Sequence, residues 1–235
     1  QKSGTDFVNA PVVGGELPTS RSMIFVSEDG ERSMNTYLGI SAELGLEDVP
    51  SYIANEAEIV LLEGYLFDKD QGKEAFKKLA SACCLAGGMT GIAISDPFCV
   101  ERHRADFISL IRHNLDFVIG NEEEIKSLFQ TDDLEMGLAK SAEICDLVVC
   151  TRDKDGVSVI KNQVRLDYKV KSIVPVDATG AGDQFSAGFL FGLVRGYEIS
   201  KCCAMGCIAA AEVLGHLGPR PQESIYELYK KAGLI

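Results

Sequence analysis

The sequence predicts an α/β protein in which a mostly parallel sheet carries helices on both faces and a small β hairpin stands apart. Three observations predict it. From position 59 onward, short apolar runs alternate with amphipathic stretches, the arrangement of parallel strands joined by covering helices. The apolar runs are nearly continuous, which marks strands buried on both faces. The chain of 235 residues, 46% hydrophobic and 25% charged, suffices for one large core and not for two full-sized domains.

The elements follow in order. Residues 21–27 and 31–37 flank the turn Glu28-Asp29-Gly30 without a helical period, predicting a hairpin outside the main sheet and a division into 1–40 and 41–235. A flap that closes a site against water and a plain edge hairpin both satisfy this pattern. Ile59-Val60-Leu61-Leu62 reads as a strand ending at Glu63-Gly64, and Ala75, Phe76, Leu79, Ala82 and Cys83 recur at helical spacing within 70–86. The unit repeats, with a strand at 91–96, a helix over 104–114 that places Phe107, Leu110 and Ile111 on one face, and a strand at 116–120. Helices over 122–129 and 134–144 lead to a strand at 147–151. The period then changes, because 156–160 and 164–168, separated by Lys161-Asn162-Gln163, resemble an antiparallel hairpin that extends one sheet edge. Phe185, Phe189, Leu190, Leu193 and Val194 return to helical spacing, and CCAMGCIAAA over 202–211 is a helical run of small residues.

Composition removes several functions. Twenty-three Lys and Arg against 35 Asp and Glu give a net charge of −12, which repels phosphate backbones and anionic membranes, so neither is an expected partner. No run approaches the ~20 apolar residues of a membrane span. The eight cysteines include no C-x-x-C pair, which points to buried thiols in a reducing cytoplasm. His103, His113 and His216 are scattered singly and read as structural or solvent-facing. The chain opens Gln1-Lys2-Ser3-Gly4 with no initiator Met and no trimmed signal peptide, as expected of processing or truncation.

The chemistry concentrates in Val176-Asp177-Ala178-Thr179-Gly180-Ala181-Gly182-Asp183-Gln184-Phe185. Gly180 and Gly182 permit a tight turn and close approach of the backbone to a ligand, and a helix opens behind them. Free N–H groups and the positive end of the helix dipole make such a turn an anion site, with a phosphoryl group its natural occupant. Asp183 is a carboxylate where anions bind. It either accepts a proton from an attacking hydroxyl or simply sits well in a first helical turn. A dinucleotide fingerprint needs glycine where Phe185 stands, and the Gly-Lys-Ser/Thr of a Walker loop occurs nowhere.

The stretch DATGAGDQFSAGFL resembles the C-terminal signature of the ribokinase-like (PfkB) family of carbohydrate and nucleoside kinases. The resemblance implies a ribokinase-like three-layer α/β sandwich with a β lid. It implies that Asp183 is the base for the acceptor hydroxyl, that the N–H groups of Gly180, Ala181 and Gly182 form the anion hole, and that Asp177 borders a monovalent-cation (K+) site. Gly120-Asn121-Glu122-Glu123-Glu124 resembles the family's N-x-x-E motif, in which Asn121 and Glu124 organise Mg2+ and phosphate through water. Thr151 and Gly156 fall in the family's nucleotide-binding strand-to-loop segment, with Asp153 where glycine is common. The stretches 18–21 and 31–37 resemble the lid of a bacterial adenosine-kinase-like branch, and Gly218-Pro219-Arg220-Pro221 matches the same branch.

The implied activity is transfer of the ATP γ-phosphoryl to a primary hydroxyl of a sugar or nucleoside, with adenosine-like acceptors favoured. Lid-to-lid pairing would give a homodimer. Nothing before Pro18 resembles the family's N-terminal strands, which makes a non-catalytic remnant that binds nucleotide or a partner chain the alternative; the ending, 231–235, looks complete.

Overall fold

The computed structural model describes residues 4–235, so Gln1-Lys2-Ser3 of the leading segment lie outside the described residues. The lid comes first. Strands β1 (Arg21–Val26) and β2 (Arg32–Tyr37) pair antiparallel with Arg21 opposite Tyr37 and Val26 opposite Arg32, as a sheet of their own. Its base is pinned by the Ile40 N–H, which donates to the Pro18 carbonyl at 3.0 Å. Two short 3-10 turns, Gly39–Glu43 and Leu46–Asp48, and helix α1 (Ser51–Glu56) connect the lid to the body.

The body alternates strand and helix. It runs β3 (Ile59–Glu63), a 3-10 turn (Gly64–Asp68), α2 (Asp70–Leu85), β4 (Met89–Ala93), α3 (Pro97–Asn114), β5 (Phe117–Asn121), α4 (Glu122–Phe129), α5 (Leu134–Ala142) and β6 (Leu147–Thr151). Then come β7 (Val157–Lys161), β8 (Val164–Tyr168), α6 (Ala181–Val194), α7 (Ile199–Leu214) and α8 (Ile225–Lys231). The six body strands lie in the order β3-β4-β5-β6-β7-β8, parallel from β3 to β6 and antiparallel from there to the edge. The expected edge hairpin is present. Asn162 and Gln163 form its turn with φ of 48° and 66°, the two positive values that a tight right-twisted hairpin requires.

Strands β3 to β7 feed two cores, because successive side chains point to opposite faces. Val118, Val148 and Ile92 pack with Phe76, Phe107, Ile125 and Leu138 of α2 to α5 on one face. Phe117, Ile119, Leu147 and Val149 pack with Phe185, Phe189, Cys202 and Cys203 of α6 and α7 on the other. This is the ribokinase-like three-layer sandwich.

Several boundaries differ from expectation. Helix α3 begins at Pro97 rather than 104, because Asp96 caps it by accepting the N–H groups of Phe98 and Cys99 and proline suits the first helical position. Non-helical φ and ψ at His103 break its period, which hid the first turn. Strand β4 stops at Ala93 rather than 96, since Ser95 turns the chain with φ of 71°. Six cysteines are buried as expected, whereas Cys84 is exposed and Cys207 half-buried. No helix of the described residues is long and apolar enough to cross a membrane. His103 faces Asp68 and Lys73, and His216 lies near Glu212, in keeping with structural roles.

Candidate active site

In a parallel sheet the side chains that meet a ligand gather beyond the carboxyl ends of the strands. There the chain brings Glu63 (end of β3), Ser95 and Asp96 (after β4), and Asn121 and Glu124 (end of β5 and start of α4) to one rim. Thr151, at the end of β6, pairs in register with Asn121.

The glycine-rich turn leads into α6. Gly180 is the residue before its first turn, with φ of 80°; a β-carbon there would lie 2.5 Å from the Cβ of Pro219, so only glycine fits. The first N–H groups of α6 have no carbonyl ahead of them within the helix, and the space over Gly182 is open, with no atom within 4 Å of where its β-carbon would stand. The Ala181 N–H is partly engaged, at 3.4 Å from the Ala178 carbonyl. Asp177 is a staple. Its two oxygens accept the N–H groups of Thr179 (2.8 Å) and Gly218 (2.9 Å), tying the turn to the 218–221 loop. Burial pushes the Asp177 carboxyl up, but Thr179 and the Gly218 N–H outweigh it and hold it below the ordinary carboxylate range. The Thr179 hydroxyl is buried with no protein partner, an orphan polar atom in the middle of the turn.

Asp183 lies at the cleft mouth. Its flanks lose hydration, which raises the carboxyl above the ordinary range, while the Arg32 guanidinium of β2 pulls it back. Partial desolvation is the larger of the two effects. Arg32 also acts on Asp177. The lid is held in place for this, since the Gly30 carbonyl accepts the Ala178 N–H at 3.1 Å and latches the hairpin turn onto the signature.

Asn121 and Glu124 lock each other. The Asn121 Oδ1 accepts the Glu124 N–H at 2.9 Å, and the Glu124 carboxylate accepts the Asn121 N–H at 3.0 Å and its Nδ2 at 2.9 Å. Burial pushes Glu124 up to about 7; the Asn121 N–H opposes the rise, and Asp96, Glu123 and Glu63 add to it. A buried carboxyl surrounded by like charge is a place that a cation relieves. Among the described residues no three acidic, His or Cys side chains converge closely enough to chelate a metal directly. A magnesium ion that keeps its water would find oxygen donors in Asn121 and Glu124.

The loop between β6 and β7 is shaped by Gly156, with φ of 91° and a would-be β-carbon 2.0 Å from the Tyr168 carbonyl. Asp153 stands with φ of 44°, the conformation for which glycine would be the ordinary choice. Arg152 is neutralised by Glu122 at 2.9 Å.

The motifs did not single out Glu63, Tyr65, Ser95, Asp96 or Arg32. Desolvation raises Glu63, the Ser95 hydroxyl opposes this, and Asp183 adds to it. Burial, then Glu124, Asp96, Glu63 and Asp183, push the Tyr65 phenol up to about 12. For Glu63, Ser95 and Asp96 the one available signal was position, at or just beyond the end of an apolar strand; Arg32, the first residue of β2, had none.

The comparisons agree with this architecture. The chain is similar to a crystal structure of a "probable sugar kinase protein" from Rhizobium etli CFN 42, with a TM-score of 0.91, 43% identity and coverage of 94% of this chain and 68% of that one. It is similar to the crystal structure of adenosine kinase from Sinorhizobium meliloti, with a TM-score of 0.89, 40% identity and coverage of 92% and 66%. A sugar kinase of Archaeoglobus fulgidus, itself uncharacterized, is 26% identical over 223 residues, 92% of this chain and 83% of that one. The chain thus spans about two thirds of the length of the two crystal structures. The model of the pfkB family carbohydrate kinases matches residues 4–225, and the chain belongs to that family.

Proposed function

We propose that this chain transfers the γ-phosphoryl of ATP to a primary hydroxyl of a sugar or nucleoside, adenosine-like acceptors being favoured. The observation that carries the proposal is Asp183 in the first turn of α6, within electrostatic reach of both Glu63 and Arg32. The 40% identity to an adenosine kinase supports the nucleoside preference.

In this reading the acceptor lies between Glu63 and Asp183, and the phosphoryl lies over Gly182 and Arg32. The N–H groups of Gly180, Ala181 and Gly182 and the Arg32 guanidinium take up charge on the transferring oxygens. Asp183 orients the alcohol and takes its proton as the new P–O bond forms and ADP leaves. Its raised proton affinity makes it a better base than an ordinary exposed aspartate. Bound Mg2+ supplies charge neutralisation on the phosphates, with Asn121 and Glu124 holding its water; Thr151 and Gly156 shape the nucleotide side. Asp177 already holds two N–H groups, so a monovalent cation there would use its remaining lone pairs, which a comparison of K+ with Na+ tests. Within 1–40, the hairpin of β1 and β2 that follows the leading segment acts as the lid. Met23, Phe25 and Met34 stand exposed on it, which suits pairing of two lids, in a reducing cytoplasm where the thiols stay free.

Replacing Asp183 by Asn is the test. In a coupled ATP-consumption assay with adenosine, ribose and fructose, kcat should fall by about 10²–10⁴-fold while ATP affinity holds. Near-normal turnover would overturn the assignment. One observation favours a second reading, binding without transfer. The outer edge of β3 is unpaired among the described residues, and a cavity of about 550 Å³ lined by Ile59, Leu61, Leu190 and Phe191 lies beside it, away from the candidate site. No product from any acceptor, with ATP still bound, is what that reading requires.

A further inference from the structure

Five non-glycine residues among those described have a left-handed backbone. Four have a local reason: Gln130 ends α4, Asn162 and Gln163 turn the edge hairpin, and Asp153 opens the loop after β6. Ser95 has none. Its φ is 71°, and the Asp96 N–H donates to the Ile94 carbonyl two residues back at 2.9 Å, which closes a γ-turn of the rare, strained hand. Glycine would adopt this backbone more readily, so the serine side chain is where a reason must lie.

That side chain reaches across the sheet end. Ser95 Oγ lies 2.9 Å from Glu63 Oε2 and 2.9 Å from the Ala93 carbonyl. One proton serves two acceptors, and the charged carboxylate is the stronger. Among the described residues no other hydrogen bond reaches the Glu63 carboxylate. The remaining groups that face it are Asp183 from α6, Glu124 from α4 and Tyr65 from the turn after β3, all acidic or weakly so. Ser95 is thus the single donor on an otherwise repelling carboxylate.

We infer that Ser95 is a positioning residue: the strained turn aims its hydroxyl at Glu63 and fixes that carboxylate across the cleft from Asp183, on the acceptor side. The inference rests on the phosphotransfer reading for its consequence, though not for its geometry.

The experiment compares Ser95→Ala, Ser95→Gly, Glu63→Gln and the Ser95→Ala/Glu63→Gln double variant in the full chain, with ATP, Mg2+ and whichever of adenosine, ribose or fructose the parent chain uses fastest. Ser95→Ala should raise the acceptor KM by about tenfold and leave the ATP KM unchanged. In the Glu63→Gln background the same change should add less than about twofold, because the two residues act as one unit. Ser95→Gly should show the same KM rise although it relieves the turn and raises Tm; a merely structural serine would lose Tm instead. Acceptor KM within about twofold of the parent in both Ser95→Ala and Ser95→Gly, or losses that multiply in the double variant, overturns the inference. Should the parent chain phosphorylate none of the three acceptors, the phosphotransfer reading fails by itself, and carbon-detected NMR titration of the Glu63 carboxyl decides the rest. Ser95→Ala then raises the Glu63 proton affinity by about tenfold if Ser95 holds it, and an unchanged titration overturns the inference.

Discussion

The turn 177–183 and the rim of Glu63, Ser95, Asp96 and Glu124 border one cleft and are built in opposite ways. The turn is contiguous: seven successive residues whose backbone supplies the donors, with Asp177 stapling them and Gly180 permitting the bend. The rim is assembled from three strand ends, and its donors and acceptors are side chains. The turn gathers N–H groups and so prefers anions, whereas the rim gathers carboxylates and so prefers cations and hydroxyls. A cleft with one side of each kind can hold a phosphate and an alcohol together without either displacing the other. Of the lid's charged groups, Arg32 is the one that acts on Asp183 and Asp177.

This contrast can be broken or sharpened by experiment. After Asp183, the largest effect is expected at Arg32, where Arg32→Met should lower kcat by roughly 10²–10³-fold with little change in Tm, because in the proposed reaction the loss is of charge over the transferring group. A mere fall in Tm without a kcat change would remove the lid from the chemistry. Gly180→Ala should destabilise the fold by about 2–3 kcal/mol in urea unfolding, since it forces a left-handed φ and a clash with Pro219. Wild-type stability would mean that the turn is softer than its backbone implies.

The rim gives a pH signature. Glu124 titrates at about 7 in the folded chain against an ordinary 4.5. Between those values the folded state holds a proton that the unfolded state has released. Stability is therefore greatest below the lower value and is lost as pH rises through the higher one, by at most about 1.4 kcal/mol per pH step. Urea midpoints measured without divalent cations from acid to neutral pH should fall accordingly, and Glu124→Gln should flatten the slope. The smallest effect is at Asp153, where Asp153→Gly should stabilise by about 0.5–1 kcal/mol by removing left-handed strain, read as a rise in Tm.

The two regions also differ in how much of them the amino-acid order reveals. Glycine spacing, the aspartate and the helical period behind them all lie within 177–194, so the turn and its helix could be read directly. The same holds for β5 to β8, whose apolar runs are short, unbroken and separated by turn residues. Helix α3 was half hidden, because the kink at His103 interrupts its period, although Asp96-Pro97 is a start signal of the ordinary kind. Glu63 and Ser95 are 32 residues apart and carry no pattern. Nothing about either residue type distinguishes it from surface polarity until parallel pairing of β3 with β4 brings their ends together.

What the sequence determined by itself is therefore the local part: which segments are strands and helices, that the sheet is covered on both faces, and that a glycine-rich turn opening a helix carries an aspartate in the helix's first turn. These follow from periodicity and from backbone constraints that act within a few residues. Only the tertiary structure decided that Arg32 of the lid faces Asp183, that Glu124 is buried among like charges, and that a strained serine holds Glu63. Those facts depend on distances between segments far apart in the chain, and Coulomb and hydrogen-bond energies are set by such distances rather than by order along the backbone.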